Sequence, residues 1–110
     1  VLTDYAENKL LDAVLRGQSL GAPATFYVAL STGLRSDSAA PTEPAGNAYA
    51  RVAVTSSLAN WAGSQAAAST TASSGTGGTT SNNATIAFPT STGSWGNIQS
   101  VWVMDASTAG

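Results

Sequence analysis

Cysteine and histidine are both missing from this 110-residue sequence. Their absence excludes disulfides, thiol nucleophiles, imidazole-based catalytic triads, and zinc or haem sites of the usual kind. Charge is scarce as well, because only four basic and six acidic side chains give a net charge of -2. So few basic residues cannot form the stripe that neutralises phosphates, which predicts that nucleic acid is not a partner.

Long apolar runs are also missing, and none approaches the roughly 20 residues that cross a bilayer, so no membrane partner is predicted. The surface that remains consists of Ser, Thr, Asn, Gly and Ala, which can be buried without leaving unpaired charges. The length fits one domain, residues 1–110, with a modest core. The composition therefore favours a non-catalytic structural module, without cofactor or metal, whose faces become interfaces.

The N-terminal segment has the apolar spacing of an amphipathic helix. Asp4 suits the N-cap position and Gly17 suits the stop, which predicts a helix over residues 4–16. Its apolar stripe needs a sheet or a partner to cover it. The residues of that stripe are Leu10, Leu11, Val14 and Leu15, of which Leu10, Leu11 and Val14 are the anchors that most need the cover.

Four later runs have the alternation of β-strands. They are residues 24–31, 49–55, 84–88 and 97–104. Residues 63–83 form a Ser/Thr/Ala/Gly tract without helical or strand period, which predicts a flexible loop. Strands separated by long loops after a single helix predict a mainly β fold. The expected architecture is an antiparallel β-sandwich or jelly-roll-like sheet with one N-terminal amphipathic helix.

Three tryptophans, Trp61, Trp95 and Trp102, are expected to anchor the core or an interface together with the helix stripe, because large aromatics dominate both kinds of burial. An alternative is a carbohydrate-binding platform. That function would require the tryptophans to be exposed on a common face among polar neighbours.

The acidic side chains outside the helix are Asp37, Glu43 and Asp105. A hydrolase would need two of them to converge in a pocket, and a calcium or magnesium site would need a regular ligand spacing that the sequence lacks. Ordinary loop carboxylates are therefore predicted, with no enzymatic activity. Arg51 alternates outward in its strand, where an ion pair with Glu43 or with a partner is expected.

Three segments, in order along nearly the whole chain, resemble a family of small tailed-bacteriophage virion proteins often labelled tail fibre proteins. They read LTDYAENKLLD at 2–12 followed by PATFYVALST at 23–32, then EPAGNAYARVAVT at 43–55 with NW at 60–61, then IAFPTSTGSWG at 86–96.

The resemblance implies a structural subunit of the virion, placed in a tail fibre or as decoration on the head. It also implies that the chain works with other copies of itself and other virion proteins. In the adhesin alternative, which depends on the tryptophans, the partner is a host surface glycan. Similar proteins usually continue beyond residue 110, so the last strand is expected to present an open edge. Assembly through strand edges and charge-poor surfaces is the leading hypothesis.

Overall fold

The computed structural model describes residues 2–109, which contain one helix and one antiparallel sheet. Helix α1 spans Asp4–Leu15. The strands are β1 (Thr25–Ser31), β2 (Val52–Thr55) and β3 (Ser100–Met104). They lie in the order β2-β1-β3, with β1 central and antiparallel to both neighbours.

The helix forms nearly as predicted, but its N-cap is Thr3 and not Asp4. Thr3 is extended, and its hydroxyl oxygen accepts the Ala6 N–H at 3.3 Å, which satisfies an amide that the first helical turn leaves free. The helix ends one residue earlier than predicted. Gly17 follows in the left-handed conformation at φ 67°, where glycine has no steric penalty.

The sheet buries a small cluster on one face of β1 and β3. Ala29 lies opposite Trp102 and Tyr27 opposite Met104, so the four side chains point to the same side of the sheet. Ala29, Trp102 and Met104 are buried, with Tyr27 packed against them. This is a thin core for a chain of this length.

Ser31 is fully buried at the end of β1 and joins this strand to the loop of residues 32–46. Its hydroxyl oxygen accepts the backbone N–H groups of Gly33 and Thr42, each at 3.0 Å. A buried polar side chain needs such partners, because an unpaired one would lose its hydration without compensation.

Strand β2 is three residues shorter than predicted, because the chain turns sharply before it. Asn47 and Ala48 both have positive φ, at 52° and 65°, which bends the backbone away from the ladder. Tyr49 then reaches β1 with its side chain, and its hydroxyl accepts the Leu30 N–H at 3.0 Å. The alternating pattern predicted that the backbone of Tyr49 would bond to β1, whereas the structure shows its side-chain hydroxyl making that bond. Strand β3 likewise starts at Ser100, three residues later than predicted.

Residues 84–88, predicted as a strand, lie outside the sheet. The chain just before them is engaged elsewhere, since Ala62 N–H donates to Ser81 O and Asn83 N–H donates to Asn60 O, each at 2.8 Å. Ile86 faces a cleft of about 230 Å³ beside β2 without pairing to it. Within residues 2–109 there is one sheet of three strands, so the antiparallel sheet is confirmed and the β-sandwich is not.

The chain is more open than a compact monomer of its mass. Its accessible surface is 7149 Å², whereas a folded monomer of 10.9 kDa is expected to expose about 5,600 Å². The radius of gyration is 15.4 Å, against about 13 Å for a compact domain of this length. The excess of about 1,500 Å² is roughly twice what one partner buries in a standard interface.

Candidate assembly interface

The apolar stripe of α1 is uncovered. Leu10, Leu11, Val14 and Leu15, called the helix stripe below, are between 41% and 76% exposed, and no residue of the helix is buried. No Cα atom of α1 lies within 8 Å of a strand Cα atom. The sequence predicted that this stripe needs a cover, and the chain's own sheet does not supply one.

A second apolar surface lies on the face of the sheet opposite the core cluster. Here Phe26 and Val103 form one wall of a groove of about 480 Å³, and Leu58, Trp61 and Ala62 form much of the other. We call this the sheet groove. The remaining lining is Ser, Thr and Gly, so no charged side chain borders it.

The outer edge of β3 is unpaired. Leu30, opposite Val101, directs its N–H to Tyr49 on the β2 side. Because bonding direction alternates along an antiparallel ladder, Val101 and Val103 direct their backbone groups away from β1. In residues 2–109 no further strand covers this edge, and a groove of about 400 Å³ separates it from Thr3.

A polar cluster joins three distant parts of the chain. Arg51 binds Glu43 through two hydrogen bonds, Nε to Oε1 at 2.9 Å and Nη2 to Oε2 at 2.7 Å. Its Nη1 donates to the carbonyl oxygens of Ala106 and Ala109, both at 2.7 Å. The Tyr49 hydroxyl donates to Glu43 Oε1 at 2.7 Å. The predicted ion pair of Arg51 with Glu43 is confirmed, and it holds the segment after β3 against β2.

The electrostatics of this cluster follow from its hydrogen bonds and burial. The bonds from Arg51 hold the pKa of Glu43 below its ordinary value, and they raise the pKa of Arg51. Burial, followed by the bond to the Glu43 carboxylate, raises the pKa of Tyr49 to about 12. Glu43 is therefore a structural carboxylate, held ionised by its partner.

The three tryptophans occupy different environments. Trp102 belongs to the core cluster, and its Nε1 donates to Ser100 Oγ at 2.9 Å. Trp95 packs edge-on against Tyr49 at a centroid distance of 5.4 Å, and its Nε1 donates to Asn47 O at 2.9 Å. Trp61 lines the sheet groove. Two of the three indole N–H groups are thus already used inside the chain.

Asp37 and Asp105 line one depression of about 370 Å³ together with Asp4, whereas Glu43 is engaged with Arg51. Aromatic and aliphatic side chains form much of the remaining wall. In the described part of the chain, no group of three or more acidic side chains could hold a metal ion.

Comparison with known proteins identifies a family. The family model for podophage GP4 fiber I protein gp80 matches residues 1–110, which is the whole chain. The chain belongs to this family. It has no match among curated proteins or solved structures. The resemblance to phage tail fibre proteins is therefore confirmed over the full sequence.

Membership of this family indicates the role of the protein and where it is found. It is a structural protein of a podophage fibre and a component of the virion, where it contacts other virion proteins. The family description names a fibre and not a head protein. No helix in residues 2–109 is long and apolar enough to cross a membrane.

Sequence reasoning missed one feature of the polar cluster and one apolar surface. The side-chain role of Tyr49 was hidden, because a tyrosine before Val52 also fits a strand. The sheet groove was hidden as well, because it combines residues from β1, β3 and the segment after β2. The exposed stripe of α1 was visible as a 3.6-residue period, although its cover was not.

Proposed function

We propose that the chain is a non-enzymatic fibre subunit that assembles with other copies of itself through its open strand edge and its apolar, charge-poor surfaces. The observation that carries this proposal is the exposed surface of 7149 Å², well above the value of about 5,600 Å² for a compact monomer of this mass. Such an excess is expected of a subunit whose core is completed by neighbours.

The edge of β3 supports the same conclusion. Val101 and Val103 are 65% and 60% exposed, and their outward backbone groups offer the hydrogen bonds on which another strand can pair. Natural proteins often protect such an edge with a lysine, a proline or a covering loop. The β3 segment contains neither lysine nor proline. A strand of another subunit would then extend this sheet beyond β3.

Sedimentation velocity of the full chain over a range of concentrations tests this function. We expect reversible association, weakened at least tenfold by Val101→Lys, because the lysine side chain at the edge opposes strand pairing. Val101→Thr is the matched control, since it keeps the β-branched shape without the charge. A wild-type chain that stays monomeric at millimolar concentration would refute self-assembly.

The position of the protein in the particle is a separate test. Electron microscopy of virions labelled on this chain should place the label on the fibre, and label on the head would refute the fibre role. A glycan screen addresses the adhesin alternative. Binding that Trp61→Ala abolishes, in a chain that does not self-associate, would favour a host glycan as the partner.

A further inference from the structure

The helix stripe and the sheet groove are two apolar surfaces of similar character on one chain. The stripe occupies the last two turns of α1, and Lys9, Asp12 and Arg16 lie on the opposite face of the helix. Glu7 lies one turn before the stripe on the same face, and its charge confines the apolar surface to the last two turns. The groove is bordered only by uncharged residues. Each surface therefore suits burial against the other.

Within one chain the two surfaces do not meet. No residue of α1 lines the sheet groove, and the helix stays more than 8 Å from every strand, measured between Cα atoms. Leu58 at the groove is 57% exposed, comparable with Leu11 of the stripe at 55%. Both surfaces are left open in the same molecule, so a second copy supplies the missing partner for each.

We infer that the helix stripe of one copy docks in the sheet groove of a neighbouring copy. This inference rests on the proposed self-assembly and specifies the surfaces that carry it. At each contact a helix meets a sheet, and each copy donates one helix and receives one, either reciprocally in a two-fold dimer or head to tail along successive copies. Repetition closes into a ring or continues as a filament, and either arrangement suits a fibre. About 800 Å² per copy, the usual share of a standard interface, fits within the excess surface.

The first experiment uses two variants with single defects, followed by their mixture. Val14→Asp places a carboxylate in the stripe, and Leu58→Asp places one in the groove. Both side chains are exposed in the single chain, so folding should persist, and circular dichroism checks it. Each variant should associate at least 100-fold more weakly than wild type, because an unpaired carboxylate would be buried at the contact.

The mixture is the decisive measurement. The intact helix of the Leu58→Asp chain can still dock in the intact groove of the Val14→Asp chain. A 1:1 mixture should therefore form a heterodimer at concentrations where each variant alone is monomeric. A mixture that stays monomeric would overturn the inference.

Two control variants test whether the effect depends on location. Lys9→Gln changes the charge by the same one unit on the opposite helix face. Leu34→Asp alters an exposed leucine outside the groove. Both should associate within about threefold of wild type. A loss equal to that of the stripe and groove variants would show that added negative charge alone is responsible, and would overturn the inference.

Failure of the inference can be told apart from failure of the proposed function. If wild type does not associate, self-assembly itself is refuted. If wild type associates and Val101→Lys dissociates it, while Val14→Asp and Leu58→Asp do not, the subunits join through the β3 edge alone. That result would overturn helix docking and leave the fibre subunit function intact.

Cross-linking provides an independent readout, because the natural chain has no cysteine. A chain with Val14→Cys is mixed with a chain with Leu58→Cys and oxidised, so any disulfide between them joins two molecules. A disulfide requires Cα atoms within about 7 Å. The heterodimeric product should dominate. Equal yield from Lys9→Cys with Leu58→Cys would contradict the predicted orientation of the helix.

Discussion

Two ion pairs in this chain have the same nitrogen to oxygen distance of 2.7 Å but very different exposure. Arg16 and Asp12 on the helix are 72% and 39% exposed at their side chains, whereas Arg51 and Glu43 are 6% and 22% exposed. If burial decides the contribution of an ion pair, breaking them should have unequal effects on the free energy of unfolding.

The magnitude follows from what each substitution leaves unpaired. Arg51→Met leaves the half-buried Glu43 carboxylate without its positively charged partner, and it leaves two carbonyl oxygens without their donor. Breaking a fully buried pair costs about 3–5 kcal/mol, and the residual exposure of Glu43 lowers that to about 2–3 kcal/mol. Arg16→Met should cost at most about 0.5 kcal/mol, as usual for an exposed pair one helical turn apart.

Urea unfolding followed by tryptophan fluorescence measures both values. All variants must be compared at one protein concentration, because association stabilises the folded state by mass action. A double-mutant cycle of Arg51→Met with Glu43→Gln should give a coupling free energy of about 2 kcal/mol. Coupling below about 0.5 kcal/mol, or equal losses for Arg16→Met and Arg51→Met, would refute the reasoning from burial.

Further predictions concern pH and one buried hydroxyl. The folded pKa of Glu43 is lowered by its bonds to Arg51, so its stabilisation is complete above the unfolded pKa and is lost as pH falls through the folded value. From pH 7 to 2 the free energy of unfolding should fall more for wild type than for Glu43→Gln, and parallel curves would contradict this. The raised pKa of Tyr49 means that folded chains hold its proton more tightly, so stability should fall between its ordinary value of about 10 and about 12. Ultraviolet titration should show a phenol ionising near 12 that Tyr49→Phe removes, and an unchanged titration in that variant would count against the assignment. Ser31→Ala should cost about 2–3 kcal/mol, because two backbone N–H groups lose their buried acceptor, whereas Ser36→Ala, in an exposed turn, should cost under about 0.5 kcal/mol. Equal losses in the free energy of unfolding for the two variants would contradict the role of Ser31 as a buried acceptor.

Local sequence patterns predicted the elements whose backbone hydrogen bonds join residues close together in the sequence. Helix α1 was found to within a residue, because its apolar period and its glycine stop act over a few positions. The Thr3 cap was missed by one position, since Thr and Asp offer equivalent acceptors there. The pair of Glu43 and Arg51 was also accessible, because an arginine in an apolar strand needs a carboxylate.

Strand pairing was harder to predict, because alternation shows that a segment can be a strand and not where its partner lies. Residues 84–88 alternate as a strand should, but the backbone just before them bonds to residues 60–62. Alternation also predicted that the backbone at Tyr49 would pair with a strand, but the Tyr49 hydroxyl bonds to β1 in its place. Both outcomes depend on contacts between residues far apart in sequence.

By itself the sequence determined the chemical character of this protein. It has neither cysteine nor histidine and few charges, so its surfaces can be buried at little cost. The tertiary structure decided which surfaces stay open, because burial depends on how distant segments meet. The helix stripe was predicted to need a cover, and only the fold revealed that the chain's own sheet leaves it exposed.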